Sequence, residues 1–173
     1  MTASAPGTVG GGLYNLRRVS VALPRHDGRR RNGTPAGHDS PLNEERFADL
    51  IDLCDDHDVR VEWADLGPKR HGQYKRRLRL IELNQNLNLR QLVPALAHEF
   101  AHFVYDDGCS TPTAERRAWE YAARMLITAE QYARAEQIVG SHPHAIAAEL
   151  DLTAVVVKAW CRQHRAAFDG RGA

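Results

Sequence analysis

The sequence predicts an α+β protein: a mostly helical core with a small antiparallel sheet of two to three strands, ending in a helix-turn-helix-like pair of helices. Three observations predict it. Apolar residues recur at helical spacing from Phe47 to Cys54, from Leu92 to Val104 and from Ala114 to Ile127. Only Val59-Val61-Trp63 and a stretch from about Gln73 to Leu83 read as half-buried strands. From Ile146 to Trp160, two short helical pieces flank a turn. At 173 residues, 43% hydrophobic and 26% charged, the chain fits one globular domain with a tail.

Residues 1–40 hold seven Gly, three Pro, six Arg and two acids. So little apolar surface cannot support independent folding, and the stretch reads as a disordered basic arm. Residues 41–139 then form the expected core. A first helix starts at Ser40-Pro41 and carries Phe47, Leu50, Ile51 and Cys54 on one face through about His57. The strand from Val59 ends at Leu66-Gly67-Pro68, and a second strand follows to Leu83. Lys69, Arg70, His71, Lys75, Arg76, Arg77 and Arg79 make this region strongly basic. A solvated sheet face that resists edge pairing explains such cations first, contact with an extended acidic substrate second, and nucleic acid after these.

Asn84 to Asn88 is turn-like, and the next helix begins between Leu89 and Pro94, with Pro94 in or near its first turn. Asp106-Asp107-Gly108 turns the chain, and Thr111-Pro112 opens another helix, with Thr as N-cap. Thr128 to Ile138 is helical until Gly140-Ser141-His142-Pro143 stops it. Residues 140–173 form a helical extension packed on the core, with Asp151 at the usual glycine position of its turn and Thr153 as N-cap. Its second helix offers Lys158 as its only cation from Ala154 to Trp160, and no Asn, Gln or Arg to read base edges. That composition favours packing over DNA reading.

Net charge is +1, no apolar run approaches the length of a membrane span, and the N-terminus lacks the apolar core of a secretory signal. These features predict a cytoplasmic protein with no membrane partner. Cys54, Cys109 and Cys161 are odd in number and widely spaced, which disfavours a disulfide framework. Cys109 is more simply a small loop residue than a metal ligand.

The chemistry concentrates in Leu96-Ala97-His98-Glu99-Phe100-Ala101-His102-Phe103-Val104-Tyr105, an apolar helix carrying H-E-x-x-H. Four residues apart, His98 and His102 lie one turn apart on one face, so both imidazoles reach one ion. Zinc bound by neutral imidazoles needs one further protein ligand and an open position for water. A neighbouring carboxylate outside the ligand set, Glu99, can take a proton from that water. The third ligand is expected downstream, at Glu115 or Glu120. Glu115 shares a face with Ala118, Trp119, Ala122 and Leu126, whereas Glu120 points about 140° away as a solvated ion-pair residue. Glu115 is therefore the inward carboxylate, a reading that ranks above its plainer role as a first-turn acid answering the helix dipole.

With these two motifs, His98-Glu99-Phe100-Ala101-His102 and Glu115-x-x-Ala118-x-x-x-Ala122-Ala123-x-x-Leu126-Ile127, the chain resembles the ImmA/IrrE family of gluzincin-like metallo-endopeptidases over roughly residues 44–165. The resemblance implies a zincin-like core, one zinc ion held by His98, His102 and Glu115, and Glu99 as general base. It also implies a protein substrate, typically a helix-turn-helix repressor of a mobile element or stress regulon. Trp119 stands where the family often has Asp or Asn, so a ligand must be oriented by some other group. The alternative from a different class is a DNA- or protein-binding regulator with a structural or vestigial zinc site.

Overall fold

The computed structural model describes residues 40–169, with side chains through residue 164. The basic-arm reading of residues 1–39 lies outside the described residues. The described part is α+β, with a three-stranded sheet and six α-helices among those residues.

Helix α1 (Pro41–Asp56) buries Phe47, Leu50, Ile51 and Cys54, the face its spacing predicts. Asp58, at φ +52°, reverses the chain into β1 (Arg60–Ala64). The stretch expected as one second strand is two, β2 (Gly72–Lys75) and β3 (Leu80–Asn84), separated by a 3-10 turn over Arg76–Leu78 and by Arg79 at φ +47°. The expected antiparallel sheet is also corrected. Strand order is β1-β3-β2, with β3 parallel to β1 and antiparallel to β2, so the sheet is mixed. Alternation reveals which residues face the core but carries no information on strand direction. Ile81 and Leu83 on the central strand are fully buried, opposite Val61 and Trp63 of β1.

The most apolar segment becomes α2 (Leu89–Val104), against which α1, β2, β3 and the following helix pack. Asn88 accepts from the Gln91 N–H, and the Gln91 side chain accepts from the Asn88 N–H, which closes a capping box. This cap sets the start of α2 at Leu89, so Pro94 falls in the second turn, deeper than the sequence reading placed it. Pro94 has no N–H for the carbonyl one turn earlier. Residues Leu92 to His102 are buried all round, so packing rather than local hydrogen bonding carries the helix through this position.

Helix α3 (Pro112–Leu126) is capped by the Thr111 hydroxyl, which accepts from the Ala114 N–H at 3.1 Å. Fully buried Ala118, Ala122 and Ala123 allow it to approach closely, and it packs on α2. Helix α4 (Ala129–Val139) follows through a Thr128–Gln131 capping box. Then α5 (Pro143–Glu149) and α6 (Ala154–Asp169) pack on each other, with α6 also against α3. Ile146, Ala147, Leu152, Val156 and Val157 belong to the same hydrophobic cluster as Leu92, Leu96 and Phe100 of α2.

The α5–α6 turn is tied down by polar contacts. Asp151 takes φ +52°, the left-handed conformation usual for glycine, and its carbonyl and Oδ2 both accept from the Asn43 amide at 2.8 Å. Arg46 and Arg90 donate to the Leu150 and Leu152 carbonyls. The Thr153 hydroxyl, expected as N-cap, is buried without a hydrogen-bonding partner among the described residues. The Val156 N–H turns instead to the Thr153 carbonyl.

Candidate metal centre

Helix α2 places His98 and His102 one turn apart, and α3 brings Glu115 up to them. The two Nε2 atoms lie 3.1 Å apart; Glu115 Oε2 is 3.1 Å from the Nε2 of His98, and Oε1 is 3.5 Å from that of His102. These three side chains form a group that can hold a metal ion. Ligands about 2.0–2.1 Å from a tetrahedral ion stand roughly 3.3 Å from one another, so the three side chains are spaced on the scale of a metal centre. Burial, reinforced by His102, depresses the pKa of His98 to about 4 against the pull of Glu115, leaving the neutral imidazole that metals require.

The outer contacts of the three differ. His102 Nδ1 meets Asp107 Oδ2 at 2.9 Å, and Asp107 Oδ1 accepts from Arg117 at 2.6 Å. Glu115 Oε1 accepts from the Ser110 hydroxyl at 2.5 Å. His98 Nδ1 is buried with no hydrogen-bonding partner among the described residues. Its ring lies against Trp119, with centroids 4.2 Å apart, so an aromatic contact restrains it instead.

Glu99 stays out of this group. Its Oε2 accepts from the Tyr74 N–H of β2 at 2.8 Å, and Gly72 packs on its side chain. Burial raises its pKa to about 7, against the opposing influence of His102 and the Tyr74 N–H. A carboxyl group poised there exchanges protons readily near neutral pH.

A cavity of about 470 Å³ opens over these groups, lined also by Arg70, Gly72 and Tyr74 and by Asp107 to Ser110. The loop before β2 is fixed by Asn84, whose amide donates to the Gly67 and Arg70 carbonyls at 2.7 and 2.8 Å. Within the basic cluster, Lys75 pairs with Glu82 at 2.5 Å and Arg76 grips Asp106 with two hydrogen bonds. Arg79 donates to the His57 and Asp58 carbonyls. The Tyr105 hydroxyl accepts from Arg124, and its ring carries the Arg117 guanidinium.

Sequence reasoning placed His98, Glu99, His102 and Glu115, and the structure brings all four to one cavity. Glu120 lies away from it, 4.0 Å from Arg116. Asp107, Arg117, Ser110 and Gly72 were missed as parts of the site. Two acids directly after the histidine helix were the available signal for Asp107; for Gly72 there was none, because its contact is with a residue on another element. No protein-family model matches the chain, and no curated protein matches it.

Proposed function

We propose that the chain is a zinc-dependent endopeptidase, as its resemblance to the ImmA/IrrE peptidases implies. His98, His102 and Glu115 hold the metal, and Glu99 is the general base. One observation carries this reading: two imidazoles and a carboxylate converge at ligand spacing while a second, buried carboxyl group stays outside the set at the open side. Three protein donors beside a cavity match a catalytic rather than a closed structural site. Bound zinc supplies Lewis acidity and lowers the pKa of water. Glu99, aimed by the Tyr74 N–H, takes the proton from the attacking water and returns it to the leaving amine.

The edge position of β2 supports a polypeptide substrate. In the β2–β3 register Gly72 and Tyr74 stand opposite Leu83 and Ile81, and the Tyr74 N–H is directed to Glu99 on the metal side. An extended chain laid there places its carbonyls beside Glu99. A helix-turn-helix repressor of a mobile element or stress response, in the cytoplasm, is the substrate the resemblance implies. The regulator alternative draws on the basic strands and on α5–α6. Yet Lys75, Arg76 and Arg79 have intramolecular partners, and the α5–α6 turn is bonded to Asn43, Arg46 and Arg90.

Metal content of the wild type, His98→Ala, Glu99→Gln and Glu115→Gln, purified side by side, tests the assignment. One zinc per chain in the wild type and Glu99→Gln, with loss in the other two and no peptide cleavage by Glu99→Gln, is the expected result. Zinc persisting in Glu115→Gln removes the third ligand, and zinc absent throughout removes the peptidase reading.

A further inference from the structure

The end of α2 places Asp107 against His102 by two routes. Asp106 takes φ +53°, its N–H bonds the Phe103 carbonyl, and the Asp107 N–H bonds the His102 carbonyl, both at 3.0 Å. This is the paired bonding of a Schellman C-cap, with an aspartate in the left-handed position glycine usually fills. It fixes the Asp107 backbone one turn from the His102 ring, and the Asp107 side chain closes the circuit at Nδ1.

An imidazole that binds a metal through one nitrogen carries its proton on the other. An acceptor at Nδ1 therefore selects the tautomer that leaves Nε2 bare, and Nε2 is the atom turned toward His98 and Glu115. Arg117 occupies Asp107 Oδ1, so Oδ2 is the oxygen directed to the ring. Arg117 is itself held, its guanidinium carbon 4.0 Å over the centre of the Tyr105 ring. It sits two residues after Glu115, so α3 delivers both a ligand and the cation that steers Asp107. Only one-tenth of the Asp107 side-chain surface is exposed, which shields this bond from competing water.

We propose that Asp107, steered by Arg117, is the positioning residue of the metal centre: it locks His102 in the tautomer and orientation that present Nε2 to the ion. The proposal rests on His102 being a ligand, as argued above. Partners of this kind change metal affinity by about 10–100-fold when removed.

The test is zinc titration against a competing chelator for the wild type, Asp107→Asn, Asp107→Ala and His102→Ala. A ¹⁵N–¹H spectrum of the zinc-loaded wild type and Asp107→Asn reads the His102 ring proton. Expected are binding weaker by about 10–100-fold in Asp107→Ala, an intermediate loss in Asp107→Asn, and a wild-type Nδ1–H signal protected from exchange that shifts upfield or disappears in Asp107→Asn. Zinc affinity of Asp107→Ala within twofold of wild type, while His102→Ala loses the ion, overturns the positioning role and leaves the metal centre standing. Wild type that takes up no stoichiometric zinc overturns both, and that failure is visible before any variant is compared. Should Asp107→Ala not fold, the spectrum decides: a wild-type ring proton on Nε2, or an unprotected one on Nδ1, overturns the proposal.

Discussion

Gly72 and Glu99 are so close that a Cβ built on Gly72 would stand 2.7 Å from the Glu99 Cγ and 3.1 Å from its Oε1. The backbone at Gly72 is ordinary strand, so space rather than conformation requires glycine here. Gly72→Ala therefore displaces Glu99 and stretches its bond from the Tyr74 N–H. Under the proposed peptidase function, the expected outcome is a loss of about 100-fold in peptide hydrolysis, the scale of a 1 Å misplacement of a catalytic group, with metal content unchanged. Hydrolysis at wild-type rates in Gly72→Ala would show that the position of Glu99 is not limiting.

Burial of Glu99 also predicts how the metal-free protein responds to pH. Its carboxyl pKa rises from 4.5 to about 7 on folding, so the folded state holds this proton more tightly than the unfolded chain. The resulting stability is fully present below about pH 4.5 and is lost as pH rises through about 7. Glu99→Gln removes the titration while keeping an acceptor for the Tyr74 N–H. Denaturant titrations of the two metal-free proteins should coincide near pH 4.5 and diverge above it. The variant should gain on the order of 1–3 kcal/mol by pH 8, and a gap that is constant with pH refutes the assignment.

Among the described residues His98 Nδ1 has an aromatic neighbour and no acceptor. Trp119→Asn supplies a carbonyl oxygen near that ring, and zinc binding should tighten by about 10-fold as the buried donor gains a partner. Trp119→Ala removes the same ring and adds no acceptor, so it should show no such gain. Equal affinities for the two variants would mean that no bond to Nδ1 forms.

Asn43 joins the start of α1 to the α5–α6 turn through two hydrogen bonds to Asp151, and it is fully buried. Asn43→Ala removes both hydrogen bonds to the part-buried Asp151 and should cost about 1–3 kcal/mol in urea unfolding. Asp151→Gly keeps the left-handed turn and the carbonyl acceptor, losing the bond to Oδ2 and a part-exposed 3.9 Å ion pair with Arg90, so its cost should be the smaller. The opposite order would place the importance of this turn in the Asp151 side chain.

The sequence by itself determined whatever depends on neighbours along one helix. His98 and His102 share a face because they are four residues apart, and Glu115 faces the same way as Ala118 and Ala122 because helical spacing leaves no alternative. The helix starts at Thr111 and Thr128 were legible for the same reason, since a cap bonds within three residues. Only the tertiary structure decided strand direction, because β1 and β3 meet across a separation that alternation does not encode. It alone brought Gly72 and the Tyr74 N–H to Glu99, and Arg117 to Asp107. These contacts join different elements, so they depend on how α2 packs against β2 and α3, and on burial that converts ordinary side chains into a neutral imidazole and a carboxyl group poised near neutral pH.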